Sequence, residues 1–144
     1  MMIIPFKGSH ISEMVEFGAQ EWMRPFVVEG DLQVYENGGT CVSAAVDGKI
    51  IGSAGLIHMN DFRAIAWAIL STSSRRHMFE ITLGIHDFFR KKATHKRIEA
   101  YVDVGFEQGI RWAEMLKFKR EGGEKEYWLN DGRSVFEYVR IREG

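Results

Sequence analysis

The chain has 144 residues, of which 45% are hydrophobic and 27% charged, a composition typical of a soluble globular protein. Its net charge of −1 gives no overall attraction to nucleic acid or to anionic membranes, so we expect neither partner. The length suits one compact domain over residues 1–144. A single cysteine excludes an intrachain disulfide framework, and no apolar run resembles a signal peptide or a membrane span, which favours a cytoplasmic protein.

In the first half of the chain, the pattern predicts strands and one helix. Ser9 is a favourable N-cap for the helix, because its hydroxyl can accept a hydrogen bond from an N–H group of the first turn. Asp47-Gly48, between two apolar alternating runs, predicts a two-residue hairpin. The apolar residues of segment 19–39 are irregularly spaced, so its structure is left open. The predicted strands cover residues 1–5, 40–46, 49–59 and 63–71.

The second half predicts two amphipathic helices, a strand between them and a final hairpin. Met78, Ile81 and Ile85 recur at helical spacing, and this helix is expected to run to about Lys92. Apolar and polar residues alternate over 98–104, which predicts a strand with one covered face. A mixed sheet with helices on its faces follows from this order of elements. The remaining predictions are a helix over 106–116 and hairpin strands over 124–129 and 134–141.

The turn that joins the strand at 63–71 to the following helix carries hydroxyls and cations but no glycine. A helix start offers unpaired N–H groups and the positive end of the dipole whatever its side chains are, and arginines can pair with phosphate oxygens. The turn therefore predicts a phosphate site, while the alternative is a serine that only caps the helix beside solvated arginines. The residues concerned are Ser73, Ser74, Arg75, Arg76 and His77.

Other reactive or charged residues form no recognisable motif. The basic block 90–97 is interpreted as a solvated helix end, with a nucleic-acid patch as the alternative. Cys41 lies in an apolar alternating run, so we expect a core residue rather than a nucleophile. The five histidines have no cysteine partners at metal-ligand spacing, and no metal is expected.

The order of elements resembles that of the GNAT (GCN5-related) N-acetyltransferases. Residues 102–122, VDVGFEQGIRWAEMLKFKREG, look like the block that closes their domain, with Lys117 at a glycine position of the family's "kLGFkreG". The resemblance covers roughly residues 1–141. It implies an α/β (α+β) fold whose mixed, mostly antiparallel sheet has helices on both faces. The run Val102–Gly105 followed by Ile110-Arg111 is similar to one in divergent, small phage-encoded GNAT-like proteins.

The resemblance implies acetyl-CoA, or another acyl-CoA, as co-substrate and an amine of a small molecule or a protein as acceptor. It places the pyrophosphate at the turn 73–77. It also implies that a backbone N–H of the central strand donates to the thioester carbonyl, which needs a donor as its oxygen gains charge. The candidates for that N–H are Ala68, Ile69 and Leu70.

Acyl transfer to an amine also requires a base, because a lysine-like ammonium has a pKa near 10.4 and must lose a proton. Among the polar residues near strand ends, His58 is the candidate, since a histidine titrates close to the working pH. The alternative is a histidine with an ordinary surface role. The other residues considered as the base are the carboxylates Asp61, Glu99 and Asp103.

Two departures from the family pattern weigh against ordinary acetyl transfer. The family's turn carries an Arg/Gln-x-x-Gly-x-Gly/Ala pattern that residues 73–78 lack, and Ala113 stands where the family often has a proton-donating tyrosine. Tyr101 and Tyr127 are the other tyrosines considered, and neither matches that position. Two alternatives therefore remain: a phage structural or assembly protein without catalysis, and a non-catalytic acyl-CoA-binding module. A homodimer, virion partners and a virion location are left open.

Overall fold

The computed structural model describes residues 1–17, 39–129 and 131–142 of the chain. Segment 19–39, for which the sequence predicted no structure, lies outside these residues except for Gly39. The strands are β1 (Met2–Pro5), β2 (Gly39–Val46), β3 (Lys49–His58), β4 (Arg63–Leu70), β5 (Arg97–Asp103), β6 (Lys119–Lys125) and β7 (Val135–Ile141). The α-helices of the described part are α1 (Gly8–Phe17), α2 (Met78–Lys91) and α3 (Glu107–Met115).

The seven described strands form one sheet in the order β1-β2-β3-β4-β5-β7-β6. Neighbouring strands are antiparallel except for β4 and β5, which are parallel because α2 connects them as a crossover. No helix in the described part of the chain is long and apolar enough to cross a membrane.

Helices cover both faces of the sheet. On one face Phe89 of α2 shares a buried cluster with Leu56 and Ile98 of the strands, and α3 completes that cluster. On the other face Ile11 of α1 shares a cluster with Ile69 of β4. The predicted mixed, mostly antiparallel α/β sheet with helices on both faces is therefore confirmed.

Two predicted boundaries were wrong, both where the pattern of apolar residues is weak. The helix α1 begins at Gly8, so Ser9 lies within its first turn and not at its N-cap. The strand β6 begins at Lys119 rather than at residue 124, because it is an exposed edge strand with almost no apolar side chains. The apolar residues after it belong to the following loop, in which Tyr127 is 82% exposed and has a φ of 53°.

The strand β5 is covered on both faces, whereas its alternating pattern predicted one covered face. Ile98 is buried on the side of α2, as expected, but Glu99 and Asp103 are buried on the other side. Carboxylates can be buried when cations compensate them. Here Arg63 lies against Glu99 and Arg133 against Asp103. These ion pairs, which alternation alone does not reveal, explain the difference.

Candidate active site

The strands β4 and β5 separate after a short paired segment and leave a cleft between them. Parallel pairing joins Arg63, Ala64 and Ile65 to the beginning of β5 and does not continue toward the carboxyl ends. The cleft that opens there has a volume of about 510 Å³. Its walls include Ala66, Ala68, Ala100, Val102, Phe106 and Ala113.

The hydrogen bonds between β3 and β4 decide which backbone groups of β4 face the cleft. Ser71 N–H donates to the Ile51 carbonyl at 2.9 Å, and Met59 N–H donates to the Arg63 carbonyl at 3.0 Å. In an antiparallel pair these bonds recur at every second residue. The odd-numbered residues of β4 therefore direct their N–H and C=O groups toward β3.

The even-numbered residues of β4 direct their backbone N–H and C=O groups away from β3, toward the cleft. Ala66 and Ala68 consequently present N–H and C=O groups where β5 no longer pairs with β4. Of the three donors predicted from the sequence, Ala68 and Leu70 have this orientation, whereas Ile69 turns its N–H toward β3. The register of β4 against β3, which the sequence did not reveal, decides which of these N–H groups face the cleft.

A short 3₁₀ helix, Thr72–His77, joins β4 to α2 and forms the predicted phosphate turn. Its N-cap residue is Ser71, and no side chain caps either this helix or α2. Ser74 is fully buried, and its hydroxyl donates to the Ser71 carbonyl at 2.7 Å. Neither Ser73 nor Ser74 is therefore the predicted helix cap, and Ser74 instead holds the turn closed.

The other turn residues are accessible at the end of β4. Ser73, Arg75 and Arg76 are exposed, and within the described residues no carboxylate lies at ion-pair distance from either arginine. His77 is half-buried, with Nδ1 3.7 Å from Glu80 Oε1. The structure thus brings these predicted residues together beside the carboxyl end of β4.

His58 lies away from this group, at the closed end of the β4–β5 pair. It is paired with Ala64, and it does not line the cleft. Its Nδ1 is 2.9 Å from His95 Nε2, its Nε2 is 3.3 Å from Thr40 Oγ1, and the two imidazole rings stack at 4.7 Å. Burial lowers the pKa of His95. The geometry therefore gives His58 a place in a histidine pair and not beside the turn.

Of the three carboxylates considered as the base, Asp103 lines the cleft. It is 5% exposed, and its Oδ1 accepts a hydrogen bond from Gly105 N–H at 2.8 Å. Its Oδ2 lies 3.2 Å from Arg133 Nη1 without a hydrogen bond of good geometry. Glu99 is instead held by Arg63, and Asp61 is exposed in the loop after β3.

Tyr101 also lines the cleft, on the strand between Glu99 and Asp103. Its hydroxyl donates to Glu137 Oε1 at 3.0 Å, and burial together with this hydrogen bond raises its pKa to about 12. Tyr101 had no role assigned from the sequence pattern. Its alternation with two carboxylates was the available signal, and the end of the β4–β5 pairing opens the cleft that it lines.

Solved structures of other proteins resemble this fold, although no protein-family model and no curated protein matches the chain. The smu.2055 protein from Streptococcus mutans has a TM-score of 0.73 at 16% identity, with 99% of this chain and 100% of that chain covered. Spermidine N-acetyltransferase from Vibrio cholerae, in complex with CoA and spermine, has a TM-score of 0.70 at 14% identity, with 97% and 94% covered.

A ribosomal-protein-S5-alanine acetyltransferase from Vibrio fischeri has a TM-score of 0.66 at 16% identity, with 98% of this chain and 92% of that chain covered. This chain has a GNAT-like fold. Identities this low establish the fold alone. None of these three proteins is described as a phage protein, so the similarity to phage proteins stays a prediction.

Proposed function

We propose that this protein is an acyl-CoA-dependent N-acyltransferase that transfers an acetyl group to an amine. The observation that carries the proposal is the edge of β4 at Ala66 and Ala68, which pairs with no strand among the described residues, faces a cleft and leads to a turn with two exposed arginines. A strand edge recognises an extended chain of amides, and a cationic turn recognises phosphates. Acyl-CoA has both features in one molecule.

In this arrangement the amides of the pantetheine arm pair with Ala66 and Ala68, as a further strand would. The pyrophosphate lies beside the turn, where the Ser73 hydroxyl donates a hydrogen bond and Arg75 and Arg76 supply positive charge. Without glycines the backbone of the turn cannot approach the phosphates as closely, so these side chains supply more of the binding.

The reaction needs a donor for the thioester oxygen and an acceptor for the proton of the amine. A backbone N–H of Ala66 or Ala68 serves as the donor, because these groups already point into the cleft and need no reorganisation. Asp103 takes the proton, directly or through water. The described carboxylates on the cleft wall are Asp87 and Asp103, and Asp87 is paired with Arg90 and Lys91, whereas Asp103 Oδ2 accepts no hydrogen bond although Arg133 lies 3.2 Å away. The amine then attacks the carbonyl, and the CoA thiolate leaves.

The alanine at position 113 does not prevent this reaction. An alkyl thiol has a pKa near 8.5, so releasing it as a thiolate at pH 7.5 costs about 1.4 kcal/mol relative to the thiol. Tyr101, with a pKa of about 12, is too weak an acid to protonate it efficiently. Its hydroxyl proton is moreover already donated to Glu137, so Tyr101 serves only as part of the cleft wall. Water can then protonate the thiolate after it leaves.

A second candidate, a non-catalytic acyl-CoA-binding module, is favoured by one observation. Ala113 is buried in the cleft wall, where a catalytic hydroxyl would otherwise face the thioester. This candidate shares the binding site and differs in lacking turnover. Release of free thiol from acetyl-CoA over a panel of small amines and peptides separates the two.

Calorimetry with acetyl-CoA tests the binding site. Replacing both Arg75 and Arg76 with alanine is expected to weaken binding about tenfold, because two phosphate contacts are lost. The matched control replaces Arg90 and Arg142, which lie at the other end of the molecule, and should leave affinity unchanged. No heat and no thermal shift with wild-type protein at millimolar acetyl-CoA would refute both candidates.

A further inference from the structure

A second concave surface lies at the end of the molecule remote from the turn 72–77. This groove, of about 1070 Å³, is formed by the end of α2 and by β6 and β7. Ile141 of the groove pairs with Arg97 at the beginning of β5, whereas the cleft opens toward the end of that strand. Its cationic lining residues are Arg90, Lys117, Lys119, Arg120, Arg140 and Arg142.

The two carboxylates of the groove are already paired. Asp87 lies 2.6 Å from Arg90 and 3.1 Å from Lys91, and Glu121 accepts two hydrogen bonds from Arg97. Five cations remain that have no carboxylate at ion-pair distance within the described residues: Lys117, Lys119, Arg120, Arg140 and Arg142. The groove is therefore strongly positive although the chain as a whole carries a net charge of −1.

Two of these guanidinium groups are held in place by aromatic rings. The Arg120 guanidinium carbon lies 3.7 Å from the centre of the Phe136 ring, and that of Arg140 lies 4.9 Å from the Phe89 ring. Burial and the neighbouring Arg142 lower the pKa of Arg140. An anion between these arginines would offset their mutual repulsion, and the stacked groups would lose little freedom on binding it.

Lys117 supplies an independent indication that the charge of the groove is used. Its φ of 73° lies in the left-handed region, which costs a side-chain-bearing residue about 1 kcal/mol and which glycine adopts freely. A strained residue points to a use for its side chain. Here Lys117 is one of the residues that line the groove.

We propose that this groove docks an acidic polypeptide segment with aliphatic side chains among its carboxylates. The aliphatic character follows from Leu83 and Ile141, which are 54% and 58% exposed on the groove wall. Single-stranded nucleic acid fits less well, because its bases need open aromatic faces. Here Arg120 and Arg140 cover the rings of Phe136 and Phe89.

Fluorescence anisotropy with the full chain and a labelled peptide of alternating glutamate and leucine tests this proposal. The wild-type protein should bind this peptide far more tightly than its lysine–leucine counterpart, and added salt should weaken binding. The double variant Lys117→Gly with Lys119→Ser is expected to bind about fivefold more weakly. The control, Lys7→Ser with Lys49→Ser, changes the net charge equally outside the groove and should bind as the wild type does.

The proposal is overturned if the wild type does not discriminate between the two peptides, or if both double variants bind alike. It is also overturned if a single-stranded oligonucleotide or tripolyphosphate displaces the acidic peptide at lower concentration than unlabelled peptide does. Circular dichroism and thermal melting establish that each variant is folded before binding is measured. Acetyl-CoA binding is not needed for any of these outcomes.

Discussion

Arg63 and Glu99 form an ion pair across β4 and β5 at the closed end of the cleft. Arg63 Nε lies 2.6 Å from Glu99 Oε1 and 2.7 Å from Oε2, and Glu99 is 2% exposed. Glu99 is opposite Ile65, the last residue of β4 that pairs with β5. The ion pair therefore joins the two strands at the point where they begin to separate.

Replacing Arg63 with methionine should lower the melting temperature, because it leaves a buried carboxylate with Arg97 Nε, at 3.7 Å, as its nearest remaining cation. The double variant Arg63→Met with Glu99→Gln should recover part of the loss, since no unpaired charge is then buried. Thermal melting of the single and double variants measures this coupling. Purely additive effects would show that the pair does not stabilise the strand junction.

Replacing Gly109 with alanine should destabilise the protein by about 1–3 kcal/mol and disturb the cleft. An added Cβ would lie 2.5 Å from a ring carbon of Phe106, so the ring must move. Gly84 provides the matched control, because it is also helical and a Cβ there meets nothing within 4 Å. Gly84→Ala should stabilise by about 0.5–1 kcal/mol. Urea unfolding of both variants checks the opposite signs.

The single substitution Lys117→Gly should raise stability by about 0.5–1 kcal/mol, because glycine adopts the φ of 73° without a steric cost. Lys117→Ala removes the same charge but keeps a Cβ, so it should bring no such gain. Comparing the two variants in urea separates the backbone effect from the charge effect. Equal stability of both variants would argue against strain at this position.

Cys41 should react slowly with iodoacetamide at pH 8. Burial raises the pKa of its thiol to about 11, so only about one molecule in a thousand carries the thiolate at that pH. In unfolded protein the pKa returns to about 8.5, and the reaction should be at least about a hundredfold faster. The rate in folded protein should rise with pH up to about 11. A fast reaction at pH 8 would contradict the raised pKa of this half-buried thiol.

Asp103→Asn should lower kcat about a hundredfold or more if Asp103 takes the proton of the amine, and leave acetyl-CoA affinity nearly unchanged. The amide keeps the size of the side chain but cannot act as the base. Asp61→Asn is the control, because Asp61 is exposed outside the cleft and should keep full activity. Unchanged kcat in Asp103→Asn would remove this residue from the proposed mechanism.

Most of the fold could be predicted because its central elements have strong local patterns. The hairpin at Asp47-Gly48 forms as expected, with φ values of 51° and 79° that this dipeptide tolerates. The helix predicted from Met78 ends at Lys91, within one residue of the expected Lys92. The position of the exposed strand β6 was predicted wrongly because backbone pairing with β7, and not its own side chains, holds it in the sheet.

The sequence by itself determined the order of elements and the residues of the turn at 72–77, because apolar periodicity and hydroxyl or arginine content are local properties. Tertiary structure alone decided which groups meet. It placed His58 beside His95, and it brought Asp103 and Tyr101 to the cleft wall. The physical reason is that these positions depend on where two parallel strands stop pairing and on the ion pairs that permit buried carboxylates, both of which join residues distant in the chain.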